Sequence, residues 1–138
     1  VYTISRADID VISFTAETAS FYTNENRVLL KGVTFRQSSP DGAILTEGTC
    51  GKSEINTNTN NIVFEGSVEL NSLTEDTRIT ADRLYWDHEK NLLRGDRDST
   101  VTLYYKDGSR VSGKDFQADG SERVFEFAEV TEGVVRYE

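Results

Sequence analysis

The fold is decided by the stretch TVTLYYKDGSRVSGKDFQAD, residues 100–119. In its first part, Val101, Leu103 and Tyr105 alternate with side chains that belong to the opposite face. Such a period of two is typical of a half-buried β-strand. The following KDGS, residues 106–109, is typical of a tight turn. The stretch therefore predicts a strand, a turn and a returning strand that ends near Asp119.

The same alternation recurs along the whole chain. Apolar residues flank a polar one at 33–35, 68–70 and 125–127, as VTF, VEL and FEF. Sustained apolar spacing of three and four, which would predict helices, is missing, and Pro40 is the only proline. Clusters of Ser, Asn, Asp and Gly between the apolar runs predict turns. We therefore expect a single all-β domain over residues 1–138.

An internal repeat supports stacked hairpins. Four anchor residues each have an Asn or Asp three positions later, and the pairs are Phe21 and Asn24, Ile55 and Asn58, Leu84 and Asp87, and Phe116 and Asp119. Asn and Asp favour turns because their side chains bond to nearby backbone groups and tolerate the left-handed region. Two units also share a small residue three positions before the anchor, Ala81 and Gly113. Since one hairpin is marginal alone, the units must stack into a folded-over sheet, a jelly roll or a solenoid with edges at both chain ends.

Charge and composition exclude several classes of protein. The chain has 15 Lys and Arg against 24 Asp and Glu, a net charge of −9, which argues against nucleic acid as a partner. Cys50 is the only cysteine, so an intramolecular disulfide is impossible. No apolar run reaches the roughly 18 residues of a membrane-spanning helix. The chain begins with Val1 and contains no Met, so we expect it to be a piece of a longer product whose N-terminal segment is missing.

Candidate catalytic and metal-binding residues do not form a recognisable site. His88, the only histidine, lies in a predicted turn and is expected to be a solvated turn residue. The acidic pairs Glu75 with Asp76 and Asp96 with Asp98 do not reproduce a calcium-binding loop, and Cys50 has no nearby histidine. We therefore expect no catalytic residue, no metal and no cofactor. An enzyme, such as a carbohydrate-active β-domain, remains as one competing class.

Two segments carry a resemblance to a known family. TADRLYWD at 80–87 and SGKDFQAD at 112–119, together with the spacing between them, resemble the core of the LptC family, which is related to LptA and to OstA-type proteins. The segments 16–35 and 48–70 resemble the two preceding hairpins in the same order. The resemblance therefore extends over nearly the whole chain.

The resemblance implies a fold and a function. The fold is an open, twisted β-jellyroll (a β-taco) of stacked antiparallel hairpins whose interior holds the acyl chains of lipopolysaccharide. The protein would lie in the periplasm, tethered to the inner membrane by an N-terminal helix missing from this chain, and would have no catalytic residues. It would receive lipopolysaccharide from the inner-membrane export ABC transporter and pass it to an LptA-like bridge protein by edge-strand pairing. The alternatives are a soluble LptA-like bridge and a β-solenoid interaction module that binds no lipid.

Two sets of residues are candidates for these roles. The interior face that would contact lipid is predicted to contain Phe14, Phe21, Leu30, Phe35, Ile55, Phe64, Val68, Leu84, Leu93, Val101, Leu103, Phe116 and Phe125. The edge that would pair with a partner strand contains Val130, Val134 and Val135, and Gly133 is predicted to permit a bulge there. Trp86 is expected to pack at the end of its strand, although its ring would also suit a lipid interface.

Overall fold

A computed structural model describes residues 2–6, 10–119 and 124–134. These residues form ten β-strands and one 3₁₀ turn at Thr23–Glu25. The strands are β1 Tyr2–Arg6, β2 Asp10–Tyr22, β3 Arg27–Ser38, β4 Ile44–Asn56, β5 Ile62–Ser72, β6 Thr77–Asp87, β7 Leu92–Gly95, β8 Val101–Tyr105, β9 Arg110–Asp119 and β10 Val124–Val134.

All strands belong to one antiparallel sheet. Each strand from β1 to β6 pairs with its neighbour in sequence, and β9 pairs with β10. Between β6 and β9 lie two short strands, β7 and β8, which both pair with β6 and β9 and so act as one interrupted strand. The predicted all-β fold of stacked antiparallel hairpins is confirmed.

The sequence repeat corresponds to hairpins. Its four units are β2 with β3, β4 with β5, β6 with β7, and β9 with β10. The first three turns each contain a left-handed asparagine, at Asn26, Asn60 and Asn91, with φ of 54°, 62° and 54°. Asp87 accepts a hydrogen bond from the backbone N–H of Lys90 at 3.1 Å, as expected for an Asx turn. The turn of the fourth unit, residues 120–123, lies outside the described residues.

The alternation of buried residues is interrupted once in each of β3, β4, β5, β6 and β9. In β6 the buried residues Thr77, Ile79 and Ala81 alternate, but the next buried residue is Leu84, three positions on. The same three-residue step separates Leu30 from Val33, Cys50 from Ser53, and Gly113 from Phe116. In β5 the step from Phe64 to Val68 contains Gly66 and Ser67, both with positive φ. Because Leu30 pairs with Ser53, Ser53 with Phe64, and Phe64 with Leu84, these steps form a line across the sheet.

The line of irregular steps bends the sheet onto itself, since residues outside the extended region change the direction of a strand. It divides the strands into an upper half-sheet, which ends at the turns 23–26, 57–61 and 88–91, and a lower half-sheet, which ends at the turns 39–43, 73–76 and 106–109. Phe64 of the upper half-sheet lies 4.5 Å from Phe35 and 6.4 Å from Phe14, measured between ring centroids. Phe14 is on β2, three strands away from β5, so this contact requires the two half-sheets to face each other.

Small residues are needed where the bend crowds the interior. A Cβ added to Gly113 would meet the carbonyl oxygen of Glu129 and lie 2.6 Å from the ring of Phe127. A Cβ on Gly48 would likewise lie 2.5 Å from the Phe35 ring. These contacts explain why a small residue precedes the anchor Phe116 in the sequence repeat.

The Gly113→Ala variant is expected to lower the free energy of unfolding by about 1 to 3 kcal/mol, because the added methyl group overpacks a site bounded by backbone. Gly133 is the matched control, since a Cβ there has nothing within 4 Å. Urea denaturation of both variants checks the prediction. Equal stability of Gly113→Ala and Gly133→Ala would contradict this account of the bend.

Candidate functional site

A cavity of about 190 Å³ lies between the two half-sheets. Its lining includes Ser72 and Glu75 near the turns of the lower half-sheet, and Ala118 and Phe125 near the turns of the upper half-sheet. Because the bend lies at the opposite end of each half-sheet from these turns, these residues form the open side of the folded sheet. The cavity therefore lies at the open side of the folded sheet, between the two half-sheets.

The cavity is amphipathic. Its walls are mostly apolar, and they are formed by Ile12, Phe35, Leu45, Phe64, Leu70, Ile79, Trp86, Leu93, Ala118 and Phe125. Its polar lining residues are Gln37, Thr46, Ser72, Thr74, Glu75 and Asp119, which lie near strand ends and turns. Moving an acyl chain from water onto such apolar walls lowers its free energy. The polar residues at the opening can contact a polar group attached to the chain.

Most of the residues predicted for the interior face are buried. Eleven are buried in one continuous core, namely Phe14, Leu30, Phe35, Ile55, Phe64, Val68, Leu84, Leu93, Val101, Leu103 and Phe116. Phe125 is half-buried and packs against this core. Of the thirteen, only Phe35, Phe64, Leu93 and Phe125 line the cavity. Eight of the others are buried elsewhere in the same core.

The interior position predicted for Phe21 is wrong, because its side chain is 63% exposed. Phe21 pairs with Val28, which is buried. Phe21 therefore lies on the predicted face of the sheet, but its side chain is not covered. The reason is its place at an edge. Among the described strands, β1 pairs only with residues 10–14 of β2, and the rest of β2 has β3 alone as a neighbour.

Several cavity residues were missed by the sequence-based prediction. Ile12, Leu70 and Ile79 carry an alternation signal, since each lies two positions from another buried residue. Ala118 lies two positions after the anchor Phe116 and follows the same rule. The polar residues at the opening carry no such signal, because their position depends on how the two half-sheets approach each other.

Trp86 lies at the rim of the cavity. Its indole Nε1–H donates a hydrogen bond to Nδ1 of His88 at 3.2 Å, and the backbone N–H of His88 donates to Oδ1 of Asn61 at 3.0 Å. His88 is therefore a turn residue that positions Trp86, consistent with its expected place in the turn. The alternative that Trp86 lies at a lipid interface fits its position, because its ring lines the cavity.

The outer face of the upper half-sheet contains paired charges. Arg27 donates hydrogen bonds to Glu54 and Glu25 at 3.1 and 3.2 Å, and these bonds raise the pKa of its guanidinium. Arg83 donates to Glu65 at 2.8 Å and to the Tyr85 hydroxyl at 3.2 Å. Such exposed pairs contribute little to stability, but they fix the side chains of this face.

The C-terminal strand has one free edge. In the part of the chain that the structure describes, β10 pairs with β9 alone. Val130 is 60% exposed, and Val134 is the last residue of the strand, while Val135 lies outside the described residues. The predicted position of the bulge is wrong. The register shifts between Val130 and Glu132 rather than at Gly133, close to the step from Gly113 to Phe116 on the paired strand β9.

Cys50 is buried next to the bend. Its thiol lies 3.2 Å from the Ser53 hydroxyl, and burial raises its pKa. A raised pKa disfavours the nucleophilic thiolate, so Cys50 lies in an environment typical of a structural cysteine rather than a reactive one.

Within residues 2–6, 10–119 and 124–134, no three His, Cys, Asp or Glu side chains are grouped as metal ligands. The same residues contain no helix of the length and apolar character needed to cross a membrane.

Comparison with known proteins gives the family of the chain. No curated protein matches it in sequence. A similar solved structure is that of LptH from Pseudomonas aeruginosa, described as the LptA-homologous periplasmic component of the conserved lipopolysaccharide transport device. The two share 12% sequence identity with a TM-score of 0.65, over 91% of this chain and 95% of LptH, so they share a fold. The sequence pattern described as "Lipopolysaccharide-assembly, LptC-related" matches residues 10–137. The chain therefore belongs to the LptC-related family of lipopolysaccharide-assembly proteins.

Proposed function

We propose that the chain is a periplasmic lipopolysaccharide carrier that binds the acyl chains of the lipid in the cavity between its half-sheets. It receives the lipid from the inner-membrane export transporter and passes it to an LptA-like bridge protein. The observation that carries the proposal is the open, apolar cavity in a member of a lipopolysaccharide-assembly family. The proposed role contains no catalytic step and needs no cofactor.

The size of the cavity sets the mode of binding. A volume of about 190 Å³ holds part of an acyl chain rather than a whole lipid. Because the cavity is open along the side where the turns of both half-sheets meet, a longer chain extends along this opening. We infer that the lipid slides through with its acyl chains inside and its head group in water. The side chains predicted for the interior face then contact lipid where they line the cavity.

The free edges supply the contacts with other proteins. A sheet edge offers unpaired backbone donors and acceptors that a partner strand satisfies. The edge of β10 with Val130 and Val134 is the proposed docking strand for the bridge protein. The exposed half of β2 with Phe21 is the corresponding edge at the other end. The presence of an edge at each end also supports the second candidate, an LptA-like soluble bridge, which would use both.

The Thr46→Trp variant tests the cavity. Thr46 lines the opening and is half-buried, so an indole there occupies space that the lipid needs. We expect its affinity for lipopolysaccharide to fall by at least about tenfold, or about 1.4 kcal/mol. Thr49→Trp is the matched control, because Thr49 is exposed and lies on the same strand outside the cavity.

The measurement is a titration with lipopolysaccharide, with phospholipid vesicles as the lipid control and thermal unfolding as the control for folding. Wild type and Thr49→Trp are expected to bind lipopolysaccharide equally and in preference to phospholipid. Full affinity in a folded Thr46→Trp protein would show that the lipid does not enter this cavity. Binding of neither lipid by the wild type would favour the lipid-free interaction module.

A further inference from the structure

A second depression lies on the outer face of the upper half-sheet, directly across the rim from the cavity. It has a volume of about 430 Å³ and is lined by Glu25, Arg27, Glu54, Asn56, Asn61, Ile62, Val63, Tyr85, Trp86, Asp87 and Arg94. Trp86 lines both spaces. A molecule whose acyl part lies in the cavity therefore reaches the depression by passing over a single side chain.

Strand register builds the floor of the depression. Glu54 pairs with Val63, Val63 with Tyr85, and Tyr85 with Arg94. Paired residues in an antiparallel sheet point to the same face, so these four side chains form a row across β4, β5, β6 and β7. The guanidinium of Arg94 lies 5.7 Å from the centroid of the Tyr85 ring. The row thus offers an aromatic surface between Val63 and the guanidinium of Arg94, with the carboxylate of Glu54 beyond Val63.

The remaining polar groups are held in place by the turns. Oδ1 of Asn56 accepts a hydrogen bond from the backbone N–H of Asn58 at 2.9 Å, and Oδ1 of Asn61 accepts one from that of His88 at 3.0 Å. These bonds fix which amide atom is the oxygen, and they leave the NH₂ group of each side chain as a donor. Fixed amide donors, carboxylate acceptors and an aromatic ring are groups that suit sugar hydroxyls and the apolar face of a sugar ring.

Charge decides between a sugar and a phosphate. The lining contains three carboxylates, those of Glu25, Glu54 and Asp87, against two guanidiniums. One of these, Arg27, already bonds to Glu25 and Glu54. A depression with this excess of negative charge repels a phosphate and accepts an uncharged hydroxyl.

We propose that the depression is a binding site for uncharged, hydroxyl-rich sugar units of the lipid's oligosaccharide, with Tyr85 as the stacking surface. This inference rests on the proposed function, because it places the sugar of the same molecule whose acyl chains enter the cavity. The lipid then lies across the rim at Trp86, with its apolar part inside and its oligosaccharide outside. The protein would recognise both ends of an amphipathic molecule from one edge of the upper half-sheet.

The test compares lipopolysaccharide with lipid A, which has acyl chains and phosphates but lacks the outer oligosaccharide. Tyr85→Ala is expected to lower the affinity for lipopolysaccharide by about fivefold to tenfold and to leave the affinity for lipid A unchanged. Tyr85→Phe keeps the ring and is expected to bind both as the wild type does. Tyr104→Ala is the matched control, since Tyr104 also stacks with an arginine, Arg78 at 4.5 Å, but lies outside the depression.

A second measurement needs no variant. Trp86 is the only tryptophan, so its fluorescence should change when oligosaccharide freed of its acyl chains is added to the wild-type protein. This fluorescence measurement distinguishes a site that binds the free oligosaccharide from one that binds sugar only when the lipid is attached. Tyr85→Ala binding of lipopolysaccharide at full strength, or an equal loss for lipopolysaccharide and lipid A, would overturn the proposal. Failure of wild type to bind either lipid would instead refute the carrier function.

Discussion

The Val134→Pro variant is expected to lose its complex with the LptA-like bridge protein while keeping its fold. Position 134 is the last in β10 and pairs with Arg110 at the end of the ladder. Proline has no backbone N–H and is poorly tolerated in a strand that must pair on both sides. Because the change lies at the end of one strand, thermal unfolding should shift only slightly. Pull-down or interferometry with the purified bridge protein measures the loss.

Two charge variants identify the docking edge. Val130→Lys places a charge on the edge of β10, where such residues discourage strand addition, and is expected to weaken the complex by about tenfold. Phe21→Lys makes the same kind of change at the opposite edge and should leave this complex intact. Both native side chains are exposed, at 60% and 63%, so neither variant should unfold. Loss of the complex with Phe21→Lys alone would place the docking edge at β2.

Hairpins and their turns could be predicted from sequence because their signals are local. The alternation of Val101, Leu103 and Tyr105 and the Asx residues after each anchor depend only on strand period and turn chemistry. The predicted strands and the order of the hairpins therefore agree with the structure. Eleven of the thirteen interior candidates are buried in the core for the same reason.

The bend and the cavity are not local properties. The steps from Ala81 to Leu84 and from Gly113 to Phe116 change which face is buried, and a strict period of two does not reveal them. The sequence signals of the bend are the small residue three positions before an anchor and the glycines within the steps of β3 and β5, Gly32 and Gly66. Phe21 shows a second limit, because an alternating pattern predicts the face of a side chain but not whether another layer covers it.

Charge patterns also needed the structure for their interpretation. Nothing in the sequence around Arg94 indicates a binding site, and the sheet register places it beside Tyr85 in the outer depression. The sequence predicts that Trp86, which follows Tyr85, lies at the end of a strand. Its position at the rim between the cavity and the outer depression depends on the packing of the half-sheets. Residues that form a site across several strands are therefore identified from the strand pairing in the sheet rather than from their spacing along the sequence.

The central claim is that lipid lies between the half-sheets, and two adjacent leucines test it. Leu93 lines the cavity and is 8% exposed, whereas Leu92 precedes it on β7, is half-buried and lies outside the cavity. Successive side chains of a strand point to opposite faces. The same photo-crosslinking amino acid at the two positions therefore samples the interior and the exterior at nearly the same height.

The measurement is crosslinking of each variant to lipopolysaccharide, with thermal unfolding to show that both remain folded and phospholipid as the competing lipid. The account predicts a saturable lipopolysaccharide adduct at position 93, resistant to phospholipid competition, and little or none at position 92. An adduct at position 92 with a silent position 93 in folded protein would contradict it, because the lipid would then lie on the outside of the sheet.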